Sequence, residues 1–113
     1  MIKRLLFIGL ICIVSLCSQA QQKHALIVAI ADYPTELGWS KINSDNDRTL
    51  LVSEFKRLGF KVATVQNEQA TKQGIIQSLS HLAKQIHPND YVCIHFSCHG
   101  QQMEDNNQDE EDG

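Results

Sequence analysis

Cysteine and histidine, the residue types of thiol chemistry, stand side by side near the carboxyl end of the chain. Cys98 and His99 follow the apolar run "YVCIHFS" and precede Gly100. A histidine can act as general base for a thiol when the two side chains lie within about 3 Å of each other. Neighbouring residues of a strand point to opposite faces, however, so these two side chains could not easily meet. Cys98 is therefore a poor nucleophile candidate and is interpreted as a small, partly buried residue.

Four further histidines occur in the chain. His24, His81 and His87 lie at the ends of predicted elements or on a helix, at intervals that match no metal-binding pattern, so we expect structural roles for them. His95 shares the strand face of His99, two residues before the end of the predicted strand, and is interpreted as a buried polar residue. Because a glycine follows His99, a substrate has room beside its ring, and His99 is the candidate general base.

Short apolar runs alternate with amphipathic segments. Seven consecutive apolar residues, Ala25 to Ala31, form the first run, and "KVATVQ" and "YVCIHFS" are the other strand candidates. The segments "DNDRTLLVSEFKRLGF" and "TKQGIIQSLSHLAKQI" have helical periodicity, with Thr71 as a cap candidate and Gly59 as a stop signal. The order strand, helix, strand, helix, strand predicts an α/β fold with a parallel sheet and helices on its faces.

The apolar positions of the two predicted helices form one stripe each. The expected stripes are Leu50, Leu51, Phe55 and Leu58 in the first helix and Ile75, Ile76, Leu79, Leu82, Ala83 and Ile86 in the second. In open parallel sheets, catalytic and binding groups gather at the carboxyl ends of the strands. Asp32 and His99 both follow a predicted strand, so the sequence predicts a site at that edge.

The first twenty residues have the composition of a secretory signal peptide. Lys3 and Arg4 precede an apolar stretch from Leu5 to Cys17, and Ser18-Gln19-Ala20 supplies small residues for cleavage. We expect residues 1–20 to be removed and residues 21–113 to be exported, secreted or periplasmic, with no membrane association after cleavage. A buried helix, a membrane anchor and a lipoprotein that uses Cys17 are the alternatives.

Charge is unevenly distributed along the chain. The formal net charge is −3, and the segment after Gln101 is rich in acids and has no Lys or Arg. This pattern excludes a basic nucleic-acid surface. Asp105, Asn107 and Asp109 alternate as calcium ligands can, but Glu110 stands where an EF-hand loop needs glycine. The tail is interpreted as a solvated loop, and no cofactor is predicted apart from a weak calcium site.

Several stretches together resemble one family. They are "HALIVAIADYP", "KINSDNDRTLLVSEFKRLGF", "HPNDYVCIHFSCHG" and "EDNNQDEEDG". In this order they resemble the caspase-like cysteine peptidases, the C14 family, and its metacaspase and bacterial branch in particular. The resemblance implies a three-layer αβα caspase-like (caspase-hemoglobinase) fold, incomplete in this chain, and a cysteine-type endopeptidase that acts on polypeptides. Metacaspases commonly have Ser-Gly-His-Gly here, so Cys98 is a departure from that motif.

The resemblance also implies roles for three residues. His99 matches the catalytic histidine that assists the thiol, and Gly100 matches the glycine whose neighbouring backbone amide helps to hold the oxyanion. Asp47 matches the acid that lines the S1 pocket and selects Arg or Lys at P1, with Asp45 as the alternative in register. Asp47 can equally be an acid that complements the dipole of a helix N-terminus.

The family places its nucleophilic cysteine at the end of the next central strand, beyond Gly113. We therefore expect residues 21–113 to be the N-terminal part of a longer peptidase, whose last strand would otherwise be an exposed sheet edge. The alternatives are an inactive truncated product and a non-catalytic caspase-like binding module. A flavodoxin-like ligand-binding domain shares the order of elements, but no Gly-rich phosphate loop follows the first strand. The oligomeric state is open.

Overall fold

A computed structural model describes residues 20–102 of the chain. Its elements, in chain order, are β1 (Lys23–Ala29), α1 (Ser44–Arg57), β2 (Lys61–Gln66), α2 (Lys72–Gln85) and β3 (Tyr91–Ser97), with short 3-10 helices at Thr35–Leu37 and Asn67–Gln69. The predicted signal peptide falls almost entirely outside these residues, and so do the calcium-ligand candidates Asp105, Asn107 and Asp109. No helix within residues 20–102 is long and apolar enough to cross a membrane.

The three strands form a parallel sheet in the order β2-β1-β3, so β1 is central. The predicted α/β architecture with a parallel sheet is confirmed. β1 is buried along almost its whole length, and Leu26 and Val28 form a core with Val65 of β2 and Leu82 of α2. Burial on both faces explains why the sequence of β1 is an unbroken apolar run rather than an alternating one.

β1 begins and ends two residues earlier than its apolar run. The run Ala25 to Ala31 predicted the strand, but the ladder ends at Ala29. Beyond it the Ile30 N–H donates to the Ser97 carbonyl at 2.9 Å, and the Ala31 N–H donates to Oδ1 of Asn67 at 2.9 Å. A side chain from the loop after β2 therefore replaces the next strand partner, and the chain turns away although its sequence is still apolar.

Helix α1 packs mainly against β1 and β2. Leu51 and Phe55 are half-buried on the sheet side, but Leu50 and Leu58, which were expected in the same stripe, are 65% and 48% exposed. The expected stripe was too wide, because only one narrow face of the helix reaches the strands. The helix ends before Gly59, which has φ 82°, a left-handed conformation that glycine adopts without a steric penalty.

Helix α2 begins as predicted. The Oγ1 of Thr71 accepts a hydrogen bond from the Gly74 N–H at 3.0 Å, which satisfies one of the free amides of the first turn. A Cβ at Gly74 would lie 2.0 Å from the carbonyl oxygen of Gln69, so this close approach requires glycine. Leu82 is buried, with Ile75 and Leu79 packed nearby. Three members of the expected stripe are exposed instead, namely Ile76, Ala83 and Ile86.

Strand β3 has two unlike faces. Ser97 faces α1, and His95 and Cys93, which alternate with it along the strand, are half-buried. The opposite face exposes Val92, Ile94 and Phe96 at 43% to 49%. Helix α2, which packs on β1 and β2, does not extend over β3. Within residues 20–102, β3 is thus the exposed apolar edge that the sequence led us to expect.

Candidate functional site

His99 lies just beyond the carboxyl end of β3, as the sequence predicted. Its backbone N–H donates to the hydroxyl of Tyr33 at 2.8 Å. Its imidazole ring contacts two aromatic rings of the loop between β1 and α1. The centroid of the Trp39 ring is 4.9 Å away in a stacked arrangement with an interplanar angle of 30°, and that of Tyr33 is 5.0 Å away and tilted by 52°.

One nitrogen of the His99 ring has a fixed partner. Nε2 lies 2.8 Å from the backbone carbonyl oxygen of Ser40. A carbonyl oxygen only accepts hydrogen bonds, so Nε2 must hold the proton and donate it. In the neutral ring, Nδ1 then holds the lone pair. The ring is therefore oriented to accept a proton at Nδ1, which is the requirement for a general base.

The loop that supplies these contacts is closed at its base. The Ile42 N–H donates to the Ala31 carbonyl at 3.2 Å, and Lys41 pairs with Asp32 at 2.9 Å. On the other side of the loop base, Oδ1 of Asn67 accepts hydrogen bonds from the N–H groups of Ala31 and Asp32. A hydrogen bond from the ammonium to Asp32, together with the charge of that carboxylate, raises the pKa of Lys41. Asp32, placed at the site edge by the sequence, is thus an anchor of the loop.

Asp47 lies in the first turn of α1 and contacts the last residue of β3. Its Oδ2 is 2.7 Å from Oγ of Ser97, which is 2.9 Å from Oγ of Ser44. A hydroxyl has one proton, and a carboxylate only accepts. Ser97 therefore donates to Asp47, and Ser44 donates to Ser97. This chain fixes the Asp47 carboxylate at the same sheet edge as His99. Asp45, the alternative in register, instead lies 4.0 Å from Nε of Arg48.

The two residues that flank His99 are both exposed. A Cβ placed at Gly100 would meet nothing within 4 Å among the described residues, so the space beside the ring is open. Because the amide of His99 is already bonded to Tyr33, the amide of Gly100 is the next N–H available along the chain. Cys98 was expected to be partly buried, and this was wrong: it is an exposed free thiol, because the chain leaves the sheet at Ser97. Cys93 is also free.

Sequence reasoning missed most of the residues that surround His99 and Asp47. Ser97 had a detectable signal, since it lies two residues before His99 and thus on the same strand face. Ser44 lies three residues before Asp47, which puts both on one face of a helix. Tyr33, Trp39 and Ser40 had no such signal, because loop folding brings them to His99. Residues 20–102 contain no cluster of three or more His, Cys, Asp or Glu side chains that could hold a metal ion.

The family model of the caspase domain matches residues 22–112 of this chain. Metacaspase-1 of Botryotinia fuckeliana is 47% identical over 45 residues, which is 40% of this chain and 11% of that protein. Metacaspase-1B of Neurospora crassa gives the same values. Metacaspase-1 of Yarrowia lipolytica is 46% identical over 48 residues, 42% of this chain and 10% of that protein.

The matched segment spans about a tenth of the length of these relatives. The small parallel sheet flanked by two helices agrees with part of a caspase-like fold, and the resemblance to the C14 family is confirmed. The chain belongs to the caspase domain family.

Proposed function

We propose that the protein that contains this chain is a cysteine-type endopeptidase that cleaves polypeptides after Arg or Lys. The observation that carries the proposal is the set of contacts that His99 makes. Its Nε2–H is bonded to the Ser40 carbonyl, its ring is packed against two aromatic side chains, and its Nδ1 is left to exchange a proton. Membership of the caspase domain family supports the reaction class.

In this proposal His99 moves the proton at each step. Nδ1 takes the proton of the nucleophilic thiol, and the thiolate attacks the carbonyl carbon of the P1 residue. The protonated ring then gives its proton to the leaving amine as the C–N bond breaks, which leaves a thioester. A water molecule, deprotonated by Nδ1, hydrolyses the thioester and restores the thiol.

Gly100 serves the oxyanion of the tetrahedral intermediate. Its N–H follows the His99 amide, which is already committed to Tyr33, and the space beside it is open. A fixed backbone N–H aimed at a developing negative charge is a common way to stabilise such an intermediate. The backbone contact between His99 and Tyr33 supports this role because it restrains the peptide immediately before the one that bears the Gly100 N–H.

We place the nucleophilic thiol on a cysteine that belongs to the longer protein. Cys93 lies within β3 and Cys98 at the bend that follows it, and within residues 20–102 neither thiol forms a hydrogen bond with the His99 ring. The relatives are about ten times longer than the segment they share with this chain, which supports a domain with further elements.

Asp47 selects the P1 residue in this proposal. Ser97 donates to its Oδ2, which leaves Oδ1 to accept from an ammonium or guanidinium group. No Lys or Arg within residues 20–102 forms an ion pair with Asp47, whereas Asp45 has Arg48 nearby. A carboxylate held at the site edge without a cation of its own is suited to bind a cationic side chain of the substrate.

Reporter peptides that differ only at P1 test this proposal in the full-length protein. Peptides with Arg or Lys are expected to be cleaved, and those with Asp or Leu are expected to be stable. Asp47→Asn should reduce kcat/KM for the Arg peptide by about 10- to 100-fold, as expected for the loss of one charge-assisted hydrogen bond. Asp45→Asn is the matched control and should change it by less than about threefold.

Two results would contradict the proposal in different ways. Cleavage after Asp or Leu with equal efficiency would disprove the assigned P1 preference. A folded full-length protein that cleaves none of the peptides, and that thiol-reactive peptidyl inhibitors do not label, would favour the non-catalytic binding module instead.

We also propose that the protein is exported. The basic, apolar and small-residue segments of residues 1–20 support this, and they predict a mature protein that begins at Gln21. Amino-terminal sequencing of protein recovered from the periplasm or the medium of an expressing cell tests it. Recovery of the protein in the cytosol with Met1 intact would contradict it.

A further inference from the structure

The loop between β1 and α1 makes three different contacts with His99. Trp39 stacks on the face of the imidazole, Ser40 accepts from its Nε2–H, and Tyr33 accepts from its backbone N–H. The contact with Ser40 defines which nitrogen holds the proton. The two aromatic side chains determine where the imidazole ring lies and how far it can rotate.

Trp39 restricts the rotation of the ring. The centroids are 4.9 Å apart and the planes differ by 30°, so one face of the imidazole lies against the indole. Rotation about the Cβ–Cγ bond would break the hydrogen bond to Ser40 and drive the ring edge into the indole. The indole face also attracts the imidazolium cation that forms each time the ring takes up a proton.

Tyr33 restricts the backbone and a second side of the ring, next to the one that Trp39 covers. Its hydroxyl accepts from the His99 N–H at 2.8 Å, which anchors the first peptides after β3. Its ring lies 5.0 Å from the imidazole and 6.3 Å from Trp39, so the three rings form one cluster. Within residues 20–102 the ladder of β3 ends at Ser97, and Tyr33 supplies beyond it the support that a strand partner gives elsewhere.

The cluster is attached to the sheet at several points. The base of its loop is closed by the Ile42 to Ala31 hydrogen bond and by the ion pair of Lys41 with Asp32. Asn67, at the end of β2, bonds the opposite side of that base. The loop that carries Tyr33 and Trp39 is therefore bonded at its base to the segments that follow β1 and β2.

We propose that Tyr33 and Trp39 are positioning residues that hold the imidazole of His99 in the orientation that directs Nδ1 to the thiol. This inference rests on the proposed function of His99. Neither side chain takes part in bond making, and the substrate is bound elsewhere, by Asp47. Loss of the cluster should therefore lower kcat and leave KM nearly unchanged.

The test uses the full-length protein and an Arg reporter peptide. Trp39→Leu removes the stacked ring, and we expect kcat to fall by about 10- to 100-fold, the size of effect that a displacement of about 1 Å can have. Trp39→Phe keeps an aromatic face and should recover kcat to within about fivefold of the natural protein. Leu37→Ala alters an exposed residue of the same loop, and kcat should stay within about twofold.

Tyr33→Phe separates the ring from the hydroxyl. It keeps the aromatic contact and removes only the acceptor for the His99 N–H, so we expect a smaller fall in kcat, of about three- to tenfold. This variant also keeps the inference testable if Trp39→Leu does not fold, which the thermal unfolding midpoint of each variant reports.

Nitrogen NMR of the His99 ring gives a readout independent of cleavage. In the natural protein the ring should be held as the Nε2–H tautomer, and in Trp39→Leu it should change to a mixture of both tautomers. Full kcat in Trp39→Leu, or a loss that lies in KM and is not recovered by Trp39→Phe, would overturn the inference. If the natural protein cleaves no basic peptide but Trp39→Leu still changes the tautomer, the proposed function fails and the positioning contact stands.

Discussion

Two histidines at opposite edges of the same sheet have opposite surroundings. His24 is the second residue of β1, is only 2% exposed, and has Nε2 at 3.3 Å from Oδ2 of Asp90. His99 follows β3, where Nε2 donates to a neutral carbonyl and the space beside the ring is open. The first histidine is enclosed next to a carboxylate, and the second is oriented by groups that have no charge.

The carboxylate beside His24 has several donors. Oδ1 of Asp90 accepts from the Gln22 N–H at 2.8 Å, and Oδ2 accepts from the His87 N–H at 2.9 Å as well as facing His24. These contacts join the start of β1 to the turn before β3. The backbone donor Gln22, then the backbone donor His87, and to a smaller extent His24 hold the pKa of Asp90 below its ordinary value.

The difference separates a structural histidine from one suited to proton transfer. At His24, the ring is buried against a carboxylate in a contact that joins the starts of two strands. At His99, Nδ1 can gain and lose a proton while Nε2 keeps its bond to Ser40. The amino edge of the sheet thus joins strand starts, and the carboxyl edge carries the proposed site, which is where parallel sheets in general bind ligands.

Substitution of His99 should impair catalysis, and substitution of His24 should impair stability. The loss of catalysis is the largest effect we expect. In the full-length protein, His99→Ala should lower kcat for an Arg peptide by about 10²- to 10⁴-fold, the range for loss of a general base. Its unfolding midpoint should change little. His24→Ala should lower the free energy of unfolding by about 1–3 kcal/mol, because a buried hydrogen-bonded side chain is lost, and kcat of the folded fraction should be nearly unchanged.

These two variants test whether the two histidines have different roles. Peptide cleavage and chemical denaturation are measured on both. If His24→Ala lowers kcat as much as His99→Ala does while the protein stays folded, the two edges are not functionally distinct.

Removal of the Asp90 carboxylate should destabilise the protein more than removal of an exposed one. Asp90→Ala leaves the N–H groups of Gln22 and His87 without their acceptor, and we expect a clear fall in the urea midpoint. Asp32→Ala, which breaks the exposed pair with Lys41, is the matched control and should have a smaller effect. Equal midpoints for the two variants would show that Asp90 does not anchor the amino edge.

The stabilisation by Asp90 should depend on pH in one direction. Its pKa in the folded protein is below the ordinary value of 3.8, so the folded state favours the ionised form. The contribution is then fully present above pH 3.8 and is lost as the pH falls through the lower pKa of the folded protein. Urea midpoints of the natural protein and of Asp90→Asn should differ most near neutral pH and converge in strong acid. A difference in urea midpoint that grows as the pH falls would contradict the expected direction of the pH dependence.

Local patterns in the sequence were sufficient to predict much of the fold. β2 and the Thr71 cap of α2 lie where the pattern predicted them, because strand alternation and helix capping depend on residues close in the chain. The end of β1 was wrong by two residues, because Asn67 from another element captures the amides of Ala31 and Asp32. Leu50 was misassigned to the core because the sequence gives the apolar stripe of a helix but not the width of the sheet it covers.

The candidate site was predictable only where its residues lie on regular elements. His99 was predicted from its place after a strand and Asp47 from the resemblance to the caspase-like peptidases, and the structure brings both to one edge. The contacts of Trp39 and Ser40 with His99 depend on how an irregular loop folds. That loop is closed by Lys41, Ile42 and Asn67, which are distant from His99 in sequence, so no periodic pattern encodes the contact.

Cys98 provides the smallest expected effect and sharpens the comparison at the site itself. It is adjacent to His99 in sequence, yet its thiol is exposed and free. If His99 acts with a cysteine elsewhere, Cys98→Gly should leave kcat/KM within about twofold, as for other exposed positions. The control Cys98→Ser keeps the size of the side chain and should behave alike. A loss of two orders of magnitude in both variants, together with inhibitor labelling that maps to Cys98, would make this thiol the nucleophile.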